Sequence, residues 1–281
     1  MRSLRVPTPG CARSLSFAAS LVLACCGRQP PTEVAPSARP AEAPAHRDIL
    51  GKKLAQGKIL YSQHNEELII RDFFQDRRDG VFLDVGCAWP EKDNNTYFLE
   101  KELGWSGIAV DALKEYEPEW RRERPHSRFF AYAVTDHSGS YLTFFRSELT
   151  GSSSIERPQP LRGTPTKGRK TSPAQGVKYE KVRVPTITLT KLLDDNGIGR
   201  IDLLSIDIEG AELLALSGFD IDRFRPQLVC IEWFHAGREK IQAYFSAHGY
   251  ERIERYLEYD KANDYYTPKA SRGEPGQPSG S

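Results

Sequence analysis

Between about residues 48 and 267, short apolar runs alternate with stretches of helical period. An apolar run of four to eight residues closed by turn residues predicts a buried strand, and apolar positions three and four apart predict a helix with one covered face. On that basis "ELIIRDFF" (67–74) is an amphipathic helix, "GVFLDVG" (80–86) a strand, "TYFLEKELG" (96–104) a helix stopped by Gly104, and "SGIAVDA" (106–112) a second strand. A helix over roughly 114–123 comes next, then "RFFAYAV" (128–134) as a third strand and "SYLTFFR" (140–146) as an antiparallel or edge addition. Residues 147–182, rich in Ser, Gly, Pro and basic side chains, break the pattern and predict a flexible loop.

The alternation then resumes. "TLTKLLDDNG" (188–197) reads as a helix with Thr188 as its cap, "IDLLSID" (201–207) as a fourth strand, and 209–217 as a helix. "QLVCIEWF" (227–234) is a fifth strand, 239–248 a helix, and 250–267 holds two closing strands. Strands separated by helices pair in parallel with helices on both faces, so the expected fold is α/β: a doubly wound, mostly parallel sheet of about seven strands.

In such a sheet, ligands bind beyond the carboxyl ends of the strands, near the switch in strand order. The polar residues at those ends are Asp84 and Gly86, Asp111, Asp136, Asp207 and Glu209, and Glu232 and His235. Gly86 lets the backbone pass close to a ligand. The G-x-G-x-x-G fingerprint of a pyrophosphate cradle is absent, since Ala88 and Pro90 follow Gly86. Asp111, one strand and one helix later, is placed to accept both hydroxyls of a ribose. A nucleoside held without a pyrophosphate points to S-adenosylmethionine.

Composition changes the picture mainly at the ends. The net charge is +1 and no basic cluster is interleaved with aromatic residues, which argues against nucleic acid and for a small-molecule or glycan partner. The five cysteines follow neither a disulfide framework nor a zinc spacing. Residues 1–13 carry three arginines and no acid, and "SLSFAASLVLA" is an apolar run too short to span a bilayer, the proportions of a secretory signal. It ends in "VLAC" (22–25), which resembles the lipobox of bacterial lipoproteins. That resemblance makes 1–24 a signal peptide, Cys25 the lipidated first residue, and the protein one anchored to a bacterial membrane on its periplasmic or extracytoplasmic face. Residues 25–47, rich in Pro and Ala, read as a disordered tether, and 268–281 as a disordered tail.

"VFLDVGCAWPEKDNNTYFLEKELGWSGIAVDA", "FFAYAVTDHSG" and "IDLLSIDIEGAELLALSGFD", in that order and spacing, resemble the FkbM-type family of S-adenosylmethionine-dependent methyltransferases. The resemblance covers roughly residues 60–267 and implies the Rossmann-like methyltransferase fold over 48–267 and O-methylation of a sugar or other small-molecule or glycan hydroxyl. It places Asp84 and Gly86 in the cofactor loop, Asn95 and Thr96 at the start of the next helix, Asp111 on the ribose, and Ala133 and Val134 near the adenine. Pro90 stands where the family usually has glycine, and "DAL" (111–113) where it usually has Glu-Pro.

Methyl transfer to a hydroxyl needs an aligned nucleophile and a base for its proton. Asp207 or His235 is the candidate base, and Glu209 the candidate for positioning the substrate. Glu232, inside an apolar strand, binds substrate or orients a neighbouring loop. Glu212 complements the dipole of its helix. No metal is expected, although Asp207 and Glu209 are of the type that holds magnesium.

Address and cofactor conflict, because S-adenosylmethionine is made in the cytosol while a lipoprotein is exported. Two outcomes stay open: a methyltransferase, cytoplasmic if the signal is not used, or a non-catalytic membrane-anchored protein that uses the same fold to bind a glycan or protein.

Overall fold

The computed structural model describes residues 48–56, 60–147, 179–233 and 237–270. Its main sheet has seven strands in the order β3-β2-β1-β7-β8-β10-β9. β1 (Val81–Val85), β2 (Ser106–Asp111), β3 (Ser127–Ala131), β7 (Leu203–Ile206) and β8 (Leu228–Glu232) run parallel, and β9 (Tyr250–Arg252) and β10 (Asn263–Pro268) close the sheet antiparallel. A second sheet, β4-β6-β5, joins β4 (Ala133–Val134), β5 (Tyr141–Ser147) and β6 (Tyr179–Ile187). The helices are α1 (Ile49–Ala55), α2 (Glu66–Phe74), α3 (Tyr97–Leu103), α4 (Glu117–Glu123), α5 (Leu189–Asp195), α6 (Glu212–Ser217), α7 (Ile221–Phe224) and α8 (Arg238–Ala247).

The five parallel strands are apolar on both sides because helices cover both sides. Leu83, Val85, Leu204, Ile206, Val229 and Ile231 pack towards α5, α6, α7 and α8, while Phe82, Leu203, Leu228 and Cys230 pack towards α1, α2 and α3. The chain winds outward from β1 through β2 to β3, then returns to place β7 and β8 on the other side of β1. The switch in winding therefore lies between β1 and β7, where a doubly wound sheet opens a crevice.

Local signals set several boundaries. Thr188 caps α5 by accepting the Lys191 N–H at 3.1 Å, and Gly104 ends α3 in the left-handed conformation. The predicted third strand is split. β3 stays beside β2 as far as Ala131, opposite Asp111, whereas Ala133 and Val134 leave to pair with Thr186 and Ile187 of β6. The helix expected from 209 starts only at Glu212, because Glu209 and Gly210 both turn through positive φ, 56° and 100°. The predicted loop 147–182 is shorter at both ends: Ser147 pairs with Tyr179, and β5 and β6 form a hairpin that extends to Tyr141 and Pro185. The alternation in "YEKVRVPTI" explains this, since Val182 and Val184 face the cluster around Trp120 and Phe144. Residues 148–178, the N-terminal segment with Cys25, and the tail from 271 lie outside the described residues.

Candidate active site

A cavity of about 290 Å³ opens at the switch point, beyond the carboxyl ends of β1, β2 and β7. Gly86, Asp111, Ala133, Val134, Asp207 and Glu209 all line it. Asp84, Asn95, Thr96 and Glu232 are not part of its lining, and His235 lies outside the described residues.

Gly86 holds the first strand end in place. Its φ is +82°, and a Cβ there would lie 1.8 Å from the carbonyl oxygen of Asp207, so no side chain fits between the two strand ends. Its N–H donates to the Val110 carbonyl at 2.8 Å, and the Asp207 N–H donates to the Val85 carbonyl at 2.9 Å. The ends of β1, β2 and β7 are thereby laced together just below the cavity.

Asp111 ends β2 with each carboxylate oxygen already engaged on one side. Oδ2 accepts the Ala88 N–H at 3.1 Å and Oδ1 accepts the Leu113 N–H at 2.8 Å. Each oxygen keeps acceptor capacity, and the carboxylate is fixed in a plane facing the cavity it lines. Burial raises its pKa to about 6, against the opposing pull of the Leu113 and Ala88 amides. Val110, Leu113, Tyr132, Val134 and Phe144 surround it with apolar and aromatic wall.

The loop after β1 owes its shape to a buried polar cluster of which the sequence pattern identifies only part. Asp84, expected to touch cofactor, instead accepts the Thr96 hydroxyl at 2.8 Å and the Asn94 amide at 3.3 Å. Burial raises the Asp84 pKa, while Thr96, Arg124 and Asn94 lower it. Asn94 also donates to the carbonyls of Cys87 and Trp89 at 3.3 and 3.2 Å, closing the loop on itself. The two asparagines of "DNNT" divide the work: Asn94 shapes the loop and Asn95 reaches Ser205 on β7 at 3.1 Å. At the centre is Arg124, 0% exposed. It pairs with Glu100 at 2.6 Å and donates to the Pro90 carbonyl at 2.8 Å, Asn94 Oδ1 at 3.0 Å, the Thr96 carbonyl at 3.1 Å and the Thr96 hydroxyl at 3.0 Å. Pro90, the departure from the family pattern, sits where only its carbonyl is used.

At the opposite end of the cavity, acids face one another. Asp207 has an accessible face, but that face opens on the cleft, and its pKa is pushed well up by desolvation first and then by Glu232, Glu209 and Glu212. Glu232, the neighbour of Asp207, is raised to about 7, again chiefly by burial and against the opposing pull of its contact with Asp207. Glu212 is structural, since its Oε1 accepts the amides of Ile208 and Gly210 at 3.3 and 3.0 Å and so pins the turn that carries Glu209. Glu209 itself holds φ of 56°, a conformation costing about 1 kcal/mol or more in a residue with a side chain. Strain held at a cavity wall is common where a site needs one geometry.

At the mouth, Trp89 is 43% exposed and stands edge-on to Tyr116, ring centroids 4.8 Å apart, beside Gln63, Lys92 and Asp93. Among the described residues, no group of three or more His, Cys, Asp or Glu is arranged to hold a metal, and no helix is long and apolar enough to cross a membrane.

A family model described as the methyltransferase FkbM domain matches residues 78–265. No curated protein matches the sequence. Solved structures with a similar chain path include a TehB-like S-adenosylmethionine-dependent methyltransferase from Corynebacterium glutamicum (13% identity, 78% of this chain and 94% of that one, TM-score 0.40). Others are a putative RNA methyltransferase from Pyrococcus horikoshii (12%, 78% and 97%, TM-score 0.34) and a 1,6-didemethyltoxoflavin-N1-methyltransferase from Burkholderia thailandensis, solved with S-adenosylhomocysteine (15%, 77% and 80%, TM-score 0.34). At such scores the fold assignment rests on the strand order and the family match.

Proposed function

The chain belongs to the FkbM methyltransferase family, and on that premise we propose that it methylates a hydroxyl oxygen of a sugar or similar polyol, with Asp207 as the base. S-Adenosylmethionine is the methyl donor, and when bound it supplies an electrophilic methyl group on a sulfonium. The residues present fit it by their chemistry: a carboxylate with acceptor capacity on both oxygens, apolar and aromatic wall around it, and a strand end without a side chain at Gly86. In this reading Asp111 accepts the ribose hydroxyls, Ala133 and Val134 flank the adenine, and Asp84, Asn94, Asn95 and Thr96 hold the loop rather than the ligand.

One observation carries the choice of an oxygen acceptor. The far end of the same cavity presents Asp207, a carboxyl whose affinity for a proton is raised by burial and neighbouring acids. A hydroxyl gives up its proton as the new bond forms, and a base is most useful when its pKa lies near the working pH. Glu209, on the pinned turn, positions the acceptor. The exposed indole of Trp89, flanked by Gln63, Lys92 and Asp93, supplies what a sugar ring needs: one flat apolar face and hydrogen-bonding groups at its edge.

Incubation of the chain with S-adenosyl[methyl-³H]methionine and a panel of methyl hexosides and deoxyhexosides tests the proposal. Alkali-stable label on a saccharide, abolished in Asp207→Asn while S-adenosylhomocysteine still binds, is the expected result. Full transfer by Asp207→Asn, or label found only in nitrogen-linked or alkali-labile form, refutes it.

A further inference from the structure

β7 and β8 run parallel with Ile206 opposite Ile231, and both of those side chains pack towards α5, α6, α7 and α8. Side chains alternate along a strand, so the next residues, Asp207 and Glu232, project together from the opposite face, on strands about 4.8 Å apart. The two carboxyls are therefore neighbours, and each shifts the other's proton affinity. Neighbouring carboxyls resist ionising together, so the pair keeps one proton over a range of pH. Their surroundings differ: Asp207 opens on the cavity, whereas Glu232 Oε2 is sealed from solvent with no hydrogen-bond partner. A sealed, unpartnered oxygen is tolerated far better on a neutral acid than on an anion.

We propose that Glu232 is a positioning residue that holds one proton against Asp207, so that Asp207 meets the acceptor hydroxyl as the ionised member of the pair. This rests on the reading of Asp207 as the base. The acceptor's O–H proton then passes to the Asp207 carboxylate, and the proton on Glu232 stays where it was. Glu209 from the turn, Glu212 from α6 and Glu66 from α2 also face the pair and oppose a second charge on it. Asp260, next to Glu66, adds to that field, while Lys92 and Asp93 at the cavity mouth form an ion pair at 3.7 Å, and Asp111 lines the cavity from β2.

The test uses the full chain, Glu232→Gln, Asp207→Asn and the double variant. With aspartate and glutamate carboxyls labelled with ¹³C, Asp207→Asn is expected to move the Glu232 titration at least about tenfold in proton concentration towards acid, because the charge that keeps the proton on Glu232 is gone, whereas Glu232→Gln leaves the Asp207 titration within about twofold, because the glutamine stands for the neutral acid already there. In urea, the unfolding midpoint of the wild type is expected to fall as pH rises from about 4.5 and to level off above about 7. Each single variant flattens that fall, and the double variant flattens it no further. An Asp207 titration moved about tenfold or more in Glu232→Gln, a Glu232 titration unmoved in Asp207→Asn, or flattening that adds in the double variant overturns the assignment of the proton to Glu232. Failure of the underlying reading is seen separately: without S-adenosylhomocysteine binding in calorimetry, the cofactor assignment falls whatever the pair does. Binding together with any of those three outcomes removes the pair alone.

Discussion

Replacing Arg124 by Met keeps the length and apolar bulk of the side chain and removes all five of the bonds that its guanidinium makes to the loop and α3. Glu100 then keeps the His126 amide at 3.1 Å and the Ser127 hydroxyl but loses its counter-charge in a site where both partners were 0% exposed. Removing one member of a buried ion pair costs about 3–5 kcal/mol. The carbonyls of Pro90 and Thr96 lose a donor as well, which pushes the cost to the upper end of that range. A domain of this kind has roughly 5–15 kcal/mol in total, so the variant should fold in the cold but unfold at markedly lower urea. Because the loop that Arg124 braces delivers the Ala88 N–H to Asp111, affinity for S-adenosylhomocysteine should drop even under folding conditions. Urea titration followed by tryptophan fluorescence measures the first effect and calorimetry the second. Adding Glu100→Leu should restore at least about 2 kcal/mol, since exchanging both charges for apolar groups leaves no ion unpaired. A single variant within about 1 kcal/mol of the parent, or a double variant no better than the single, would refute the bracing role.

Asp111→Ala should weaken S-adenosylhomocysteine by about 3–6 kcal/mol in calorimetry, the worth of two hydrogen bonds to a charged group. The same titration in the parent should weaken about tenfold between pH 7 and 5: the free protein's Asp111, raised to about 6, is mostly protonated at the lower pH and then accepts fewer hydrogen bonds, whereas pH-independent binding would exclude it. Glu209→Gly should raise stability by about 1 kcal/mol through relief of the positive φ while methyl transfer falls, so a loss of stability there would count against stored strain. Cys25→Ser should abolish incorporation of labelled palmitate into the chain in a bacterial host, and unaltered labelling would show that the N-terminal segment is not a lipoprotein signal.

The architecture was legible because both of its signals are local: apolar runs for strands buried on two faces, and apolar stripes for the helices that cover them. Asp111, Gly86 and Asp207 were legible for a related reason, since a strand end is a fixed place in a doubly wound sheet and only a few polar residues occupy such ends. Arg124 was not, because a buried arginine at the end of a surface-patterned helix has the same local sequence as an exposed one, and its partners are 24 to 34 residues away. The division of labour between Asn94 and Asn95 escaped for the opposite reason: the two are identical neighbours, and only the turn between them decides which faces Asp84 and which faces Ser205. The split of the third strand at Tyr132 depends on pairing with β6, which sits some fifty residues later along the chain.

Asp84, Asp207 and Glu232 lie on one face of the sheet near the ends of three neighbouring strands, Asp84 opposite Ser205 and so two residues short of the other pair, yet they do different work, and the difference lies in what faces each. Asp84 meets a hydroxyl, an amide and the nearby Arg124 guanidinium, so its charge is spent holding a loop in shape. Two strands away, Glu232 meets another carboxyl and has an oxygen with no partner. Leaving an oxygen unsatisfied in a packed interior costs about 1–3 kcal/mol, which structure alone gives no reason to retain. Substituting Glu232 by Leu should therefore stabilise the fold or leave it unchanged in urea while abolishing transfer, whereas Asp84→Leu should destabilise it by several kcal/mol. Equal destabilisation by the two changes would mean that the acids on this face form a single structural layer and that their position beside the cavity carries no chemistry.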